Sequence, residues 1–269
     1  MSRRKTTEWA GESLEALRTR WDRESVHLYG KLDSTNEVAR ELADGGAPSG
    51  TVVLCREQTA GRGRAGHAWY SPRDAGLYLS LILRPADLSH PAMISILAGL
   101  GVVERLDRSF RGLSPGLKWP NDLVAGGLKM GGVLAEALSS EKGPRSLVLG
   151  VGINVRPLAG GAPAELSGRS TAIESVIGGS VSLLEVADCA VAGLETWLPE
   201  VPAALDGELL ALVDRYDWLR DRRARLALPD SEDSQPGTCV GIAPDGALLF
   251  RPDRGALRRV TDGVVDPWT

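Results

Sequence analysis

Gly61-Arg62-Gly63-Arg64-Ala65-Gly66, followed closely by Trp69-Tyr70-Ser71-Pro72, is the stretch on which the reading of the fold turns. Its three spaced glycines formally match the dinucleotide-binding fingerprint, which would make the chain a Rossmann protein. That fingerprint opens a helix directly after a strand and needs an acidic residue about 20 positions further on. Here a Trp-Tyr-Ser-Pro run follows, which starts no helix, and no acidic residue stands at a strand end at that distance. A protein-kinase glycine loop fails too, because neither Asp-x-x-x-x-Asn nor Asp-Phe-Gly follows. What remains is a loop whose backbone can approach a ligand closely. Its two arginines can each fork onto a phosphate or carboxylate. Taken alone, the loop fits a solvated surface segment equally well.

Outward from this loop the chain reads as alternating short strands and helices. Val26 to Tyr29 and the β-branched run Thr51 to Cys55 are expected strands, as is Leu77 to Leu83. Between the first two, Ser34-Thr35-Asn36-Glu37 has the spacing of a capping box opening a helix that stops near Gly45-Gly46. Ala92 to Phe110 carries Ile94, Leu97, Val102 and Leu106 on one helical face. Val133 to Leu138 and Leu147 to Val155 are expected to pair as strands. Arg156 to Gly168, rich in Pro, Gly and Ala, is expected to be a mobile loop. Helices are expected near 182–198 and 202–218. Residues 1–25 form a polar, helix-leaning extension, with Leu14, Leu17 and Trp21 at helical spacing. From Asp221 the texture changes to short strands at 224–228, 238–242, 247–251 and 257–260. Pro-Asp, Pro-Asp-Gly and Asp-Arg-Gly turns separate them, a spacing that fits a small β-barrel.

A second dense segment is Lys118-Trp119-Pro120-Asn121-Asp122, with Lys129-Met130-Gly131-Gly132 after it in a run that ends at Glu136. A cation, an aromatic, a rigid bend, an amide and a carboxylate fall within five residues. Glycines beside a lysine suit close approach of backbone to an anion. A tight turn with exposed charges would look the same.

Composition bounds the function. The 269 residues carry 31 Lys+Arg against 35 Asp+Glu, a net charge of −4, which excludes a nucleic-acid partner held by bulk positive charge. Three unpatterned cysteines argue against a disulfide framework, and three scattered histidines against a structural zinc site. No apolar run reaches the roughly 18 residues of a membrane span, and the basic start lacks a signal-peptide core. A cytoplasmic protein without a membrane partner is the expectation. Lysine is scarce: only Lys5, Lys31, Lys118, Lys129 and Lys142 occur, and two of these five lie in the second segment.

Together these motifs resemble the biotin–protein ligase family. Asp33-Ser34-Thr35-Asn36, the Gly61–Gly66 loop with Trp69 and Ser71-Pro72, Lys118–Asp122, Lys129–Glu136 and Gly152-Ile153-Asn154 follow the family's motifs in the family's order. The resemblance covers about residues 26–220 and, more loosely, the C-terminal β region. It implies an α/β fold, a mixed sheet flanked by helices in a catalytic domain over 1–220, with a small SH3-like β-barrel over 221–269. It also implies a two-step reaction. Biotin and ATP, with Mg²⁺, give biotinyl-5′-AMP and pyrophosphate. A lysine of a biotin carboxyl carrier domain of an acyl-CoA carboxylase then attacks the adenylate. Monomeric and homodimeric assemblies are both compatible.

The resemblance distributes roles. Ser34, Thr35, Asn36, Gln58, Gly63 and Gly132 are implied on the biotin side, together with Arg62, Arg64 and Lys129. Trp69 resembles the aromatic on which adenine stacks. Lys118, Asn121 and Asn154 resemble nucleotide ligands. Lys129 is implied at the oxygens shared by the biotin carboxylate and the α-phosphate. Asp122 is implied to orient the incoming lysine or a Mg²⁺-bound water. A lipoate ligase, which shares the fold, is the nearer alternative. A biotin-responsive repressor is a more distant one, for which the short stretch before the first catalytic strand offers little. A module that only sequesters biotin is the third.

Overall fold

The computed structural model describes residues 3–84, 91–138, 146–158, 162–198, 200–229 and 233–267. In chain order the elements are β1 (Arg4–Lys5), β2 (Glu8–Trp9), β3 (Glu12–Ser13), α1 (Leu14–Trp21), β4 (Val26–Lys31), α2 (Thr35–Asp44), β5 (Val52–Cys55), β6 (Gly76–Leu83), α3 (Pro91–Ser109), β7 (Gly116–Lys118), β8 (Asp122–Ala125), β9 (Leu128–Leu138) and β10 (Ser146–Asn154). There follow α4 (Ile173–Ile177), α5 (Leu183–Trp197), α6 (Gly207–Tyr216), β11 (Arg223–Ala227), β12 (Ser234–Ile242), β13 (Leu248–Pro252), β14 (Arg258–Val260) and β15 (Val264–Asp266).

Eight strands form a mixed sheet in the order β1-β4-β5-β6-β10-β9-β8-β7, in which β4 and β5 are parallel and the other pairs antiparallel. The central strand β6 is buried along its whole length, and its alternation shows why. Leu77, Leu79, Leu81 and Leu83 face the main core with α3 and α5. Tyr78 and Ile82 face a smaller core under α2, with Val38, Ala39 and Val148. Besides Gly76, the remaining residue on the α2 face is Ser80, completely buried.

Strands β11–β15 form a second, antiparallel sheet in the order β14-β13-β12-β11-β15. Leu226, Cys239, Ile242, Leu248 and Phe250 of this sheet belong to the same apolar core as α3 and β7. Two polar ties reinforce the join: Trp119 Nε1 donates to Gly246 O at 3.0 Å, and Leu205 N–H donates to Pro244 O at 2.6 Å. Among the described residues no helix is long and apolar enough to cross a membrane.

Several local expectations are corrected. Among the described residues of the extension expected over 1–25, only α1 is helical. Before it, β1 adds to the edge of the large sheet through Arg4↔Lys31 and Lys5↔Tyr29, and β2–β3 form a hairpin. The capping box does not form. Ser34 makes no side-chain cap bond, and Glu37 reaches Arg62 of the glycine-arginine loop instead, at 2.7 Å. A different first-turn donor, Thr35 N–H, is accepted by Gln58 Oε1 at 2.9 Å, so a distant loop helps to satisfy the helix start. The last expected helix shortens to α6, because Pro202 and the Leu205–Pro244 bond hold the preceding chain out of the helix. Of the loop expected over 156–168, residues 159–161 lie outside the described residues. A short 3₁₀ turn, Ala164–Leu166, occupies its later half.

Asp217, at the junction of the two sheets, gives a pH-dependent expectation. One oxygen accepts the Leu219 N–H at 3.0 Å, and Oδ2 is buried without a hydrogen-bond partner. Burial pushes its carboxyl up to about 6 from the ordinary 3.8. Between those values the folded chain binds more protons than the unfolded one, so stability falls as pH rises through that window. The loss is complete at neutral pH and is on the order of 2–3 kcal/mol. Asp217→Asn is therefore expected to raise the melting temperature near neutral pH, with the gain vanishing below the ordinary carboxylate value. Thermal melts across that range measure it, and parallel curves for the two proteins would refute it.

Candidate functional site

The site begins with missing side chains. On the face of the large sheet toward α2, β10 presents Gly150 and Gly152, and β9 presents Gly132 opposite Gly152. The absent Cβ atoms of Gly150 and Gly152 leave room for other groups. A Cβ on Gly152 would lie 2.5 Å from the Trp69 ring, and one on Gly150 would lie 2.2 Å from Asn36 Oδ1. A Cβ on Gly132 would approach Lys129 and Asp122. Above this glycine floor lies a cavity of about 370 Å³.

One wall is neutral. The N-terminus of α2 brings Ser34, Thr35 and Asn36 to the cavity, and Gln58 joins them from the strand-like segment after β5. Their polar atoms are already wired. Gln58 Oε1 accepts from Thr35 N–H and Oγ1, and Gln58 Nε2 donates to Ser71 Oγ at 2.8 Å. Ser80 Oγ lies 2.8 Å from Thr35 Oγ1 and 2.5 Å from Asn36 Oδ1. A wall of uncharged donors and acceptors suits a neutral polar ligand in a mostly apolar pocket.

Other lining side chains are cationic. The glycine-arginine loop doubles back on itself instead of opening a helix. Gly63 N–H donates to His67 O and Trp69 N–H to Gly61 O, each at 2.8 Å, around a 3₁₀ turn at Arg64–Gly66. This closes the Rossmann reading. Gly61 is required by packing, since a Cβ would lie 2.5 Å from Trp69 O. Arg62, Gly63, Arg64 and Trp69 all reach the cavity.

Lys129 arrives there through an irregularity. Strands β8 and β9 are joined by Gly126-Gly127, both with positive φ, as a two-residue hairpin turn requires. Asp122 pairs with Gly132 and Leu123 with Gly131, but Val124 pairs with Lys129, so Met130 is an extra residue in β9. The bulge reverses the alternation. Met130 goes into the core, and Lys129 comes onto the same face as Gly132 and Asp122. Lys129 Nζ then lies 2.5 Å from Asp122 Oδ1 and 5.5 Å from the Trp69 ring centroid, within cation–π range. Lys118 Nζ lies 3.0 Å from Asp122 Oδ2. Burial by itself would raise the Asp122 carboxyl, but Lys129 and Lys118 together hold it below its ordinary value.

The four cations singled out in the sequence thus share one cavity, yet none stands alone. Arg62 pairs with Glu37, Arg64 with Asp262 at 2.7 Å, and both lysines with Asp122. Asn121 lines the cavity, while its Nδ2 donates to Val133 O at 2.7 Å. Asn154 is not brought to the cavity wall. It is buried at the end of β10, and its Nδ2 donates to Thr171 O at 3.1 Å. That contact helps hold the 169–171 segment, whose backbone bonds both sides of Lys129.

Some residues of the site were not singled out in the sequence. Ser80 had a readable signal: a lone small hydroxyl in the middle of an apolar strand must find a partner inside. Glu37 was assigned to a local cap. Asp262, Gly263 and Val264 of the second sheet complete the rim, and nothing local marks them. Among the described residues no group of three or more His, Cys, Asp or Glu is arranged to hold a metal ion.

Comparison with known proteins bears on this geometry. Residues 29–154 match the biotin/lipoate A/B protein ligase family. The biotin–[acetyl-CoA-carboxylase] ligase of Paracoccus denitrificans is 33% identical over 244 residues, spanning 85% of this chain and 95% of that protein. The bifunctional ligase/repressor BirA of Bacillus subtilis is 38% identical over 148 residues, 55% of this chain but only 45% of that relative's length. The chain therefore spans about half of the length of that longer relative. A biotin protein ligase from Aquifex aeolicus, solved in complex with biotin and ATP, superimposes with a TM-score of 0.72 at 26% identity, covering 90% of this chain and 98% of that one.

Proposed function

The chain belongs to the biotin/lipoate A/B protein ligase family, and from that premise we propose that it is a biotin–protein ligase. One observation carries the reading: a single cavity is lined both by uncharged hydrogen-bonding side chains and by paired cations, over a floor of glycine. Biotin has that polarity, with an uncharged ureido ring at one end and a carboxylate at the other. Ser34, Thr35, Asn36 and Gln58 take the ring. Arg62, Arg64, Lys118 and Lys129 take the carboxylate and the phosphates of ATP, and Gly63 and Gly132 let those groups approach the backbone. Trp69 offers its face to the adenine. Asn121 borders the nucleotide, and Asn154 acts indirectly, by holding the 169–171 segment.

In the first step a carboxylate oxygen of biotin attacks the α-phosphorus of ATP. The bond to the β-phosphate breaks, and pyrophosphate leaves with biotinyl-5′-AMP bound. Two anions must meet, so fixed cations offset the repulsion and the charge that develops. Asp122 keeps Lys118 and Lys129 convergent on that point. Mg²⁺ enters with ATP as part of the substrate. In the second step the ε-amine of a carrier-domain lysine attacks the acyl carbon, an amide forms and AMP leaves. The acceptor is the biotin carboxyl carrier domain of an acyl-CoA carboxylase. We place the boundary of the second unit near Asp221 and read its five strands as an SH3-like barrel.

The test is exchange of labelled pyrophosphate into ATP by the purified chain. Exchange is expected with biotin and MgATP present and absent without biotin. Exchange supported by lipoate but not by biotin would move the chain to the lipoate branch of the same family.

A further inference from the structure

Glu136 stands on the same face of β9 as Gly132, further along the strand, without lining the cavity. It lies on β9 opposite Val148, and its side chain is 25% exposed. Its two oxygens face different ways. Oε2 accepts from Asn36 Nδ2 at 2.7 Å, whereas Oε1 lies 3.8 Å from Arg40 Nη1 and 3.9 Å from Arg62 Nη2. At the other end of the same amide, Asn36 Oδ1 faces Ser80 Oγ at 2.5 Å. Asn36 can lie there only because Gly150 has no Cβ.

A side-chain amide has two N–H donors and two acceptor lone pairs. Glu136 and Ser80 use one of each, which leaves one donor and one lone pair for a ligand. The choice of which end points where belongs to Glu136. A carboxylate can only accept, so the Asn36 nitrogen must turn toward β9. The Ser80 hydroxyl can donate or accept, and adapts. A neutral amide at position 136 would tolerate either orientation.

We propose that Glu136 is a positioning residue that fixes the flip state of the Asn36 amide, and so sets the donor–acceptor pattern presented to the ureido ring of biotin. The proposal rests on the biotin-ligase reading above. Arg62 is held mainly by Glu37, at 2.7 Å, so the contact to Asn36 is the one whose loss matters.

The experiment is steady-state pyrophosphate exchange with the full chain, giving separate KM values for biotin and ATP, beside thermal melts. Glu136→Gln is expected to raise the biotin KM about tenfold, the scale of one lost hydrogen bond to a charged group. The ATP KM and melting temperature are expected to stay unchanged, whereas a merely structural residue would move all three. In an Asn36→Ala background the same change should raise the biotin KM no further. An unmoved biotin KM, or a fully additive rise in the double variant, overturns the proposal. If Glu136→Gln is recovered unfolded, Glu136→Asp carries the test, because it draws the acceptor back from Asn36 Nδ2 by one methylene while keeping the charge. It should raise the biotin KM about fivefold, and no rise overturns the proposal. Absence of biotin-dependent exchange in the unaltered chain would remove the ligase reading and this proposal together. Normal exchange with unmoved variants would remove the proposal alone.

Discussion

Lys129→Ala is expected to lower biotin-dependent pyrophosphate exchange by about a hundredfold or more, the scale of removing one preorganised charge from a developing anion. The side chain stands 5.5 Å from the Trp69 ring centroid and 2.5 Å from Asp122. It is therefore between the surfaces assigned to adenine and to the α-phosphate. Its loss should spare the fold, because it is 35% exposed and is anchored only at its tip. The variant should still melt cooperatively and still bind biotin through the neutral wall. Arginine at the same position should recover little, since its planar fork differs in reach and shape from a compact ammonium. Measured kcat/KM for exchange decides the matter. Turnover equal to that of the unaltered chain would take Lys129 out of the mechanism.

The largest effect on stability is expected at the crossing of α3 and α5. Gly101 and Gly193 meet backbone to backbone. A Cβ on Gly101 would lie 2.0 Å from Gly193 O, and one on Gly193 would lie 2.6 Å from Gly101 backbone atoms. No side-chain rotamer can relieve a clash with a main-chain carbonyl, so the helices would have to separate and open the core beneath them. Gly101→Val is expected to cost on the order of 3 kcal/mol or more. That is a large share of the roughly 5–15 kcal/mol available to an ordinary domain. Urea unfolding midpoints measure it, or loss of soluble protein if the threshold is crossed. Gly179 provides the control, because a Cβ there meets nothing within 4 Å. A Gly101→Val protein as stable as a Gly179→Ala protein would show that the two helices are not locked at this point.

The glycine pair also shows how far local reading reaches. A glycine inside a helix costs about 1 kcal/mol relative to alanine, so its presence in α3 implies a packing reason. The identity of the partner, 92 residues later in another helix, is not in the local pattern. The same holds at Ser34–Glu37. The spacing of a capping box is present, yet Glu37 is drawn to Arg62 and Ser34 makes no cap bond. Local rules fail there because a guanidinium from a distant loop binds the Glu37 carboxylate better than the helix's own backbone donor. Lys118, Lys129, Arg62 and Arg64 could be picked out from residue type and glycine context. That each is held by a carboxylate could not, since Glu37 and Asp262 come from other elements.

What the amino-acid order determined by itself is the set of elements and the chemistry they carry. Periodicity marks α3, α5 and the buried strands β5 and β6, and the refusal of Trp69–Pro72 to start a helix excludes a Rossmann fold. The motifs supply neutral donors at Ser34–Asn36 and cations on two separate segments. What only the tertiary structure decided is which of these meet. The extra residue at Met130 turns Lys129 onto the face of Asp122, and three glycines on β9 and β10 clear the floor. Asn154, from an equally suggestive motif, does not line the cavity and bonds Thr171 O instead. The physical reason is that a strand's alternation is a local property, whereas its phase relative to the neighbouring strand is not. One unpaired residue reverses every side chain beyond it, and only the pairing of β8 with β9 shows where that residue lies.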